Sequence, residues 1–95
     1  MSAFVIATAK IKDPAKFAEY GQKAGPTLAK FGGKLLCRGK FGADLVNASE
    51  HDTGAVISFA SRANVSEWYD SPEYQEIIPL RNEAADMVFA VYDAV

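Results

Sequence analysis

The residues that could do chemistry in this sequence lie close together along the chain. Between Ser66 and Arg81 the segment SEWYDSPEYQEIIPLR carries Trp68, Tyr69 and Tyr74, and Arg81 follows Tyr74 by seven positions. Tyr74, Ile77, Ile78 and Arg81 fall on one helical face, so a guanidinium occupies a position that the helical period assigns to the apolar side. Such a group must find a carboxylate, carbonyls or a ligand anion. One reading is an internal pair with Asp13 or Asp86, or a snorkelling side chain. The other is an anchor for a small carboxylate or enolate. Arg38 poses the same choice: it ends a strand-like run just before Gly39, where a ligand could approach the backbone, and its simpler role is an exposed strand-end charge. Trp68, Tyr74 and Tyr20 are either the walls of a cleft or, as aromatic residues at helical spacing usually are, part of the core. Ser71 reads first as a helix cap and second as a ligand contact. Together these residues suit a small-molecule site that is mostly apolar with a few placed polar groups.

Other chemistries are poorly supported. His51 is the sole histidine and sits between Glu50 and Asp52 in a polar run. Consecutive residues rarely converge on one ion, so no metal is expected there. His51 and Asp13 are the available general bases, His51 only if its loop folds over the cleft. Cys37 is the single cysteine, which excludes an internal disulfide, and it reads as a small core residue. Gly32-Gly33 runs from a helix into a strand, the reverse of a phosphate-binding loop. No nucleotide, haem or other cofactor is expected. Ten basic residues against twelve acidic ones give a net charge of −2, and the lysines are scattered, so nucleic acid is not an expected partner. The start of the chain shows neither a signal peptide nor a spanning segment; no membrane association is expected, and the expected location is cytoplasmic.

The elements that must position these side chains follow from periodicity and punctuation. Ala3 to Ile11 alternates as a strand with both faces apolar at first. Asp13-Pro14 starts a helix, and Phe17, Tyr20, Ala24, Leu28 and Phe31 form its stripe. Gly25-Pro26 predicts a kink or two consecutive pieces, and Gly32-Gly33 closes the helix. Lys34 to Arg38 is a second strand, with Leu35 and Cys37 opposite Leu36, and Phe41 to Val46 continues it toward a hairpin. Asn47 to Thr53 is a polar loop, and Ala55 to Ala60 is a third strand. Ser61 caps a second helix carrying Val65, Trp68 and Tyr69. Ser71-Pro72 starts a third, which Pro79 should bend. Asp86 to Tyr92 is the last strand.

The order is β-α-β-β-α-β, so the expected fold is α+β and ferredoxin-like: an antiparallel sheet with its helices on one face, in a single domain over residues 1–95. The other sheet face then lacks a cover although the first and last strands carry apolar residues there. An apolar share of 49% in 95 residues is generous for so small a chain. Pairing two sheets face to face across a two-fold axis would bury that surface, which predicts a homodimer.

The chain also resembles a known family. The carriers are DPAKFAEY (Asp13 to Tyr20), KFGGKLLCRG (Lys30 to Gly39), the strand ending Ser58-Phe59, and WYDSPEY (Trp68 to Tyr74) with Arg81. These stretches are similar to the family designated domain of unknown function 1330, within the dimeric α+β barrel superfamily. The resemblance spans nearly the whole chain and implies the fold and the dimer, but no reaction. Family members often carry an acidic turn with Trp and Pro before the third strand. Here that segment is Asn47-Ala48-Ser49-Glu50-His51-Asp52-Thr53. Two functions remain in view. One is a dimeric binder of a small anionic or aromatic metabolite, acting as a cofactor-free isomerase or monooxygenase-like enzyme, with Arg38 and Arg81 holding the anionic group and Trp68, Tyr20 and Tyr74 as walls. The other is a non-enzymatic structural or stress-associated dimer.

Overall fold

The computed structural model describes residues 2–95. Its elements run β1 (Ala3–Ile11), α1 (Pro14–Lys30), β2 (Lys34–Lys40), β3 (Thr53–Phe59), α2 (Arg62–Asp70), α3 (Pro72–Gln75), α4 (Ile78–Ala84) and β4 (Ala85–Asp93). The strands form one antiparallel sheet in the order β2-β3-β1-β4, giving the ferredoxin-like α+β fold. In β1 the alternation decides the faces: Ala3, Val5, Ala7 and Ala9 are buried beneath the helices, while Phe4, Ile6 and Thr8 point the other way.

Local chemistry starts and stops the helices. The side chain of Asp13 accepts the Lys16 amide, Ser61 that of Asn64 and Ser71 that of Tyr74, each relieving a free amide at a helix start. At the end of α1, Gly32 adopts φ 77°, its amide donates to the Ala29 carbonyl, and the Gly33 amide donates to Leu28. That double bond pattern is a Schellman stop, which favours glycine at the left-handed position. Gly33 is small for a different reason: a Cβ there would stand 2.8 Å from the Phe59 ring. The core gathers Val5, Tyr20, Ile57, Phe59, Trp68, Tyr74 and Ile77 between helices and sheet. Trp68 and Tyr74 lie at its centre, with ring centroids 4.5 Å apart.

Four local expectations need correction. First, of the two outcomes expected at Gly25-Pro26, a kink or a division, the division does not occur: α1 runs through Pro26 as one element. Proline clashes with the Cβ of the residue before it, and Gly25 has none. Second, Pro79 does not bend a longer helix. It stands in the first turn of α4, where a missing amide costs nothing, and α3 has already ended at Gln75. Third, Phe41 to Val46 is no strand. Pairing ends at Lys40 opposite Thr53, and the connection reverses through Asn47 and Glu50 at φ 55° and 60°. Fourth, β2 carries a bulge at Leu36, so Leu35 pairs with Ile57 but Cys37 pairs with Val56. The extra residue resets the alternation and puts Leu35 and Cys37 on opposite faces. Cys37 is therefore exposed on the uncovered face rather than in the core.

That uncovered face is apolar. Ile6 is 38% exposed, Val88 54% and Tyr92 49%, and Tyr92 stacks on Phe4 at 5.5 Å. Among the described residues no helix is long and apolar enough to cross a membrane.

Candidate functional site

A cleft of about 840 Å³ separates α1 from the sheet. Small residues on both walls create it: Gly21, Ala24 and Gly25 from α1 face Ala7, Ala9 and Ala55 from the sheet. A Cβ added at Gly21 or Gly25 would meet nothing within 4 Å, so the space is not filled from the far side. Tyr20, Trp68, Met87 and Phe89 give it an apolar and aromatic lining, and Arg38, Lys40 and Asp52 add charge. Arg38 reaches this side only because of the bulge at Leu36. Regular alternation from Leu35 would send residue 38 to the uncovered face, whereas the observed register sets Arg38 opposite Ala55 on the cleft side. A smaller cleft of about 380 Å³ lies between α2 and β4, lined by Val65, Ser66, Tyr69, Asp70, Arg81 and Val91. Trp68, Met87 and Phe89 border both and form the wall between them.

The six candidate residues are thus divided. Arg38, Tyr20 and Trp68 share the larger cleft, while Arg81 fronts the smaller one. Tyr74 has no exposed surface and Ser71 only 4%, and neither lines these two spaces. Ser71 is occupied as a cap: its hydroxyl accepts the Tyr74 amide at 3.2 Å and donates to the Trp68 carbonyl at 2.7 Å. The Trp68 indole Nε1 donates to Thr27 Oγ1 at 3.0 Å, and that hydroxyl donates to the Ala24 carbonyl at 2.7 Å. This chain of bonds locks the indole against α1.

Arg81 is held by neutral oxygens. Its Nη1 donates to the hydroxyls of Tyr69 and Tyr74, each at 3.1 Å, and its Nε and Nη2 donate to Asn82 Oδ1 at 3.4 Å. The guanidinium also lies 5.6 Å from the Phe89 ring centre. Neither suggested carboxylate is its partner. Asp13 caps α1, and Asp86 lies 3.5 Å from Lys12. Among the described residues Arg81 makes no ion pair. The Tyr74 hydroxyl in turn lies 2.7 Å from that of Tyr20. Burial pushes the Tyr20 phenol far above the ordinary range, and the neighbouring Tyr74 adds to it. Burial also raises Tyr74, although the bond it accepts from Arg81 opposes the shift. For Arg81 burial alone acts to lower the pKa, but the two tyrosine hydroxyls outweigh it and the net direction is upward. The cluster is therefore a fixed cation surrounded by neutral phenols.

Both general-base candidates fall elsewhere. Neither Asp13 nor His51 borders the larger cleft, whereas Asp52 does. One oxygen of Asp52, Oδ2, accepts the Ile11 amide at 2.7 Å, which fixes the carboxylate between the end of β1 and the start of β3. In the sequence Asp52 was hidden inside the run Glu50-His51-Asp52, where it is legible only as a loop charge. No group of three or more His, Cys, Asp or Glu side chains among the described residues could hold a metal ion.

The family model for the domain of unknown function DUF1330 matches residues 2–95, so the chain belongs to that family. No curated protein matches the sequence. Among solved structures, a protein of unknown function from Rhodopseudomonas palustris is similar with a TM-score of 0.83 and 20% identity, over 99% of this chain and 82% of that one. A dimeric ferredoxin-like protein of unknown function from Thermobifida fusca has a TM-score of 0.60 and 17% identity, over 99% and 92% of the two chains. SnoaB, a cofactor-independent oxygenase from Streptomyces nogalater, has a TM-score of 0.70 and 9% identity, over 99% and 93%. At these identities the likeness is one of fold.

Proposed function

We propose that this member of the DUF1330 family is a homodimer that binds a small aromatic anion in the cleft between α1 and the sheet. The observation that carries this reading is the cleft itself, about 840 Å³ with an aromatic lining and Arg38, Lys40 and Asp52 at its charged part. Arg38 holds the anionic group, since its planar fork of donors matches a carboxylate or enolate. Tyr20 and Trp68 are walls. Arg81, Tyr74 and Ser71 support the site from behind, each already engaged by the protein. The dimer forms through the uncovered sheet face, whose exposed Ile6, Val88 and Tyr92 are otherwise left in water. A similar structure described as dimeric supports a dimer, and the apolar sheet face is the argument for where it forms.

The same cleft is suited to cofactor-free chemistry. A proton taken from a bound phenol or carbon acid by Asp52 leaves negative charge that Arg38 can stabilise. The fold likeness to a cofactor-independent oxygenase gives this extension a precedent of architecture only. The competing reading, a structural dimer with no ligand, draws on one observation: Arg81 is satisfied internally by tyrosine hydroxyls.

Calorimetric titration with 2-naphthoate separates these readings. Wild type binds, and Arg38→Ala, still folded, binds about tenfold or more weakly, the loss expected for a charge-assisted hydrogen bond. Absence of binding across naphthoates, naphthols and aromatic lactones would favour the structural dimer.

A further inference from the structure

The direction of the hydrogen bonds in the tyrosine cluster carries information beyond the list of contacts. A guanidinium can only donate, so at the 3.1 Å contact the Tyr74 oxygen accepts from Arg81. Tyr74 has no exposed surface, and its own hydroxyl hydrogen needs an acceptor. Among the described residues the acceptor within reach is the Tyr20 oxygen, 2.7 Å away. The opposite orientation, with Tyr20 donating to Tyr74, would leave the buried Tyr74 hydrogen without a partner. Such a desolvated donor is strongly disfavoured. The order is therefore Arg81 to Tyr74 to Tyr20. The Tyr20 hydroxyl hydrogen is then left without an acceptor among the described residues, and Tyr20, unlike Tyr74, keeps 6% of its surface and borders the larger cleft.

From this polarity we infer that the Tyr20 hydroxyl is a directed hydrogen-bond donor for a phenolate or enolate oxygen of the ligand, and that Arg81 and Tyr74 orient and polarise it without touching the ligand. Each bond in such a series strengthens the next, so the cation at Arg81 reaches the cleft through two phenols. Burial holds Tyr20 in its neutral form, so it can donate through the physiological pH range. This assignment rests on the cleft being the ligand site. It adds which atom recognises the oxyanion and narrows the ligand class to hydroxy-aromatic compounds or their keto tautomers. The carboxylate-binding role stays with Arg38. Arg81 and Tyr74 are positioning residues in this arrangement.

The test is a spectrophotometric pH titration of 4-nitrophenol bound to the protein. Donation from Tyr20 favours the bound phenolate, so the bound probe should ionise about one pH unit higher in Tyr20→Phe than in wild type. Tyr74→Phe and Arg81→Met should displace it in the same direction by less. Uptake of the probe with the same ionisation in wild type and Tyr20→Phe overturns the role of Tyr20 and leaves the cleft reading standing. No uptake by wild type overturns both. The polarity can be read without variants from hydroxyl hydrogen exchange in protein carrying 13C at tyrosine Cζ. The Tyr74 hydrogen should exchange slowly and the Tyr20 hydrogen faster. The reverse order overturns the inference even if no variant folds.

Discussion

Tyr20 and Tyr74 place two hydroxyls 2.7 Å apart in an interior where neither can ionise cheaply. Both phenols are raised by burial, and the consequence is a pH dependence of stability. In the folded chain they stay protonated above about pH 10, where the unfolded chain releases those protons. The unfolded state then binds fewer protons than the native one. Stability is accordingly full below about pH 10 and falls as the pH rises above it. An absorbance titration of tyrosinate should show the amplitude of two of the four tyrosines appearing only together with alkaline unfolding. Release of all four while the far-ultraviolet dichroism remains native would contradict it. At this scale the sequence was partly legible. Arg81 announced itself as a cation on an apolar helical face, and Tyr74 shared that face. Its partners did not, because a search for compensating charge favours carboxylates such as Asp13 and Asp86. Here neutral phenols and an aromatic ring supply the compensation.

The helix starts were legible because caps are local: Asp13-Pro14, Ser61 and Ser71-Pro72 each act within a few residues of themselves. The bulge at Leu36 was not legible, since it exists only in the register between β2 and β3. It matters for the site, because it turns Arg38 toward the cleft and Cys37 away from the core. The cleft was hidden for a similar reason. Gly21, Ala24 and Gly25 look like weak points of a helical stripe until Ala7, Ala9 and Ala55 are set opposite them. Gly33 shows the reverse case, a glycine required by close packing. Its missing Cβ would stand 2.8 Å from Phe59 and 3.1 Å from Leu28 Cδ2, both packed in or against the core. Gly33→Ala should therefore lower stability by about 1–3 kcal/mol, the usual cost of overpacking, as read from a urea transition. An unchanged midpoint would mean that the Phe59 ring can move aside freely.

For the molecule as a whole, one layer of helices on a four-stranded sheet leaves half of the sheet uncovered. The strand patterning made this visible in the sequence, since β1 and β4 carry apolar residues on both faces. What the pattern lacked was the contribution of β2, whose bulge adds Cys37 to the same side. A charge at the centre of that face should be tolerated by a lone chain, where Ile6 is 38% exposed, but not between two sheets. Ile6→Glu should halve the mass seen by sedimentation while keeping the native dichroism. If Ile6→Glu sediments as wild type does, the sheet face is not the contact.

The cleft between α1 and the sheet carries the functional reading, and Gly21 offers the most direct access to it. A side chain there enters open space, and leucine is a better helix former than glycine by roughly 0.8 kcal/mol, so the substitution blocks the cleft without weakening the helix. The measurement is a 2-naphthoate titration of wild type and Gly21→Leu, followed residue by residue through amide resonances. The expected result is saturable shifts around Tyr20, Ala24, Arg38 and Ala55 in wild type and none in a Gly21→Leu protein that melts no lower. Equal binding by both proteins, or shifts centred on Ile6, Val88 and Tyr92, would contradict the assignment of the cleft as the ligand site.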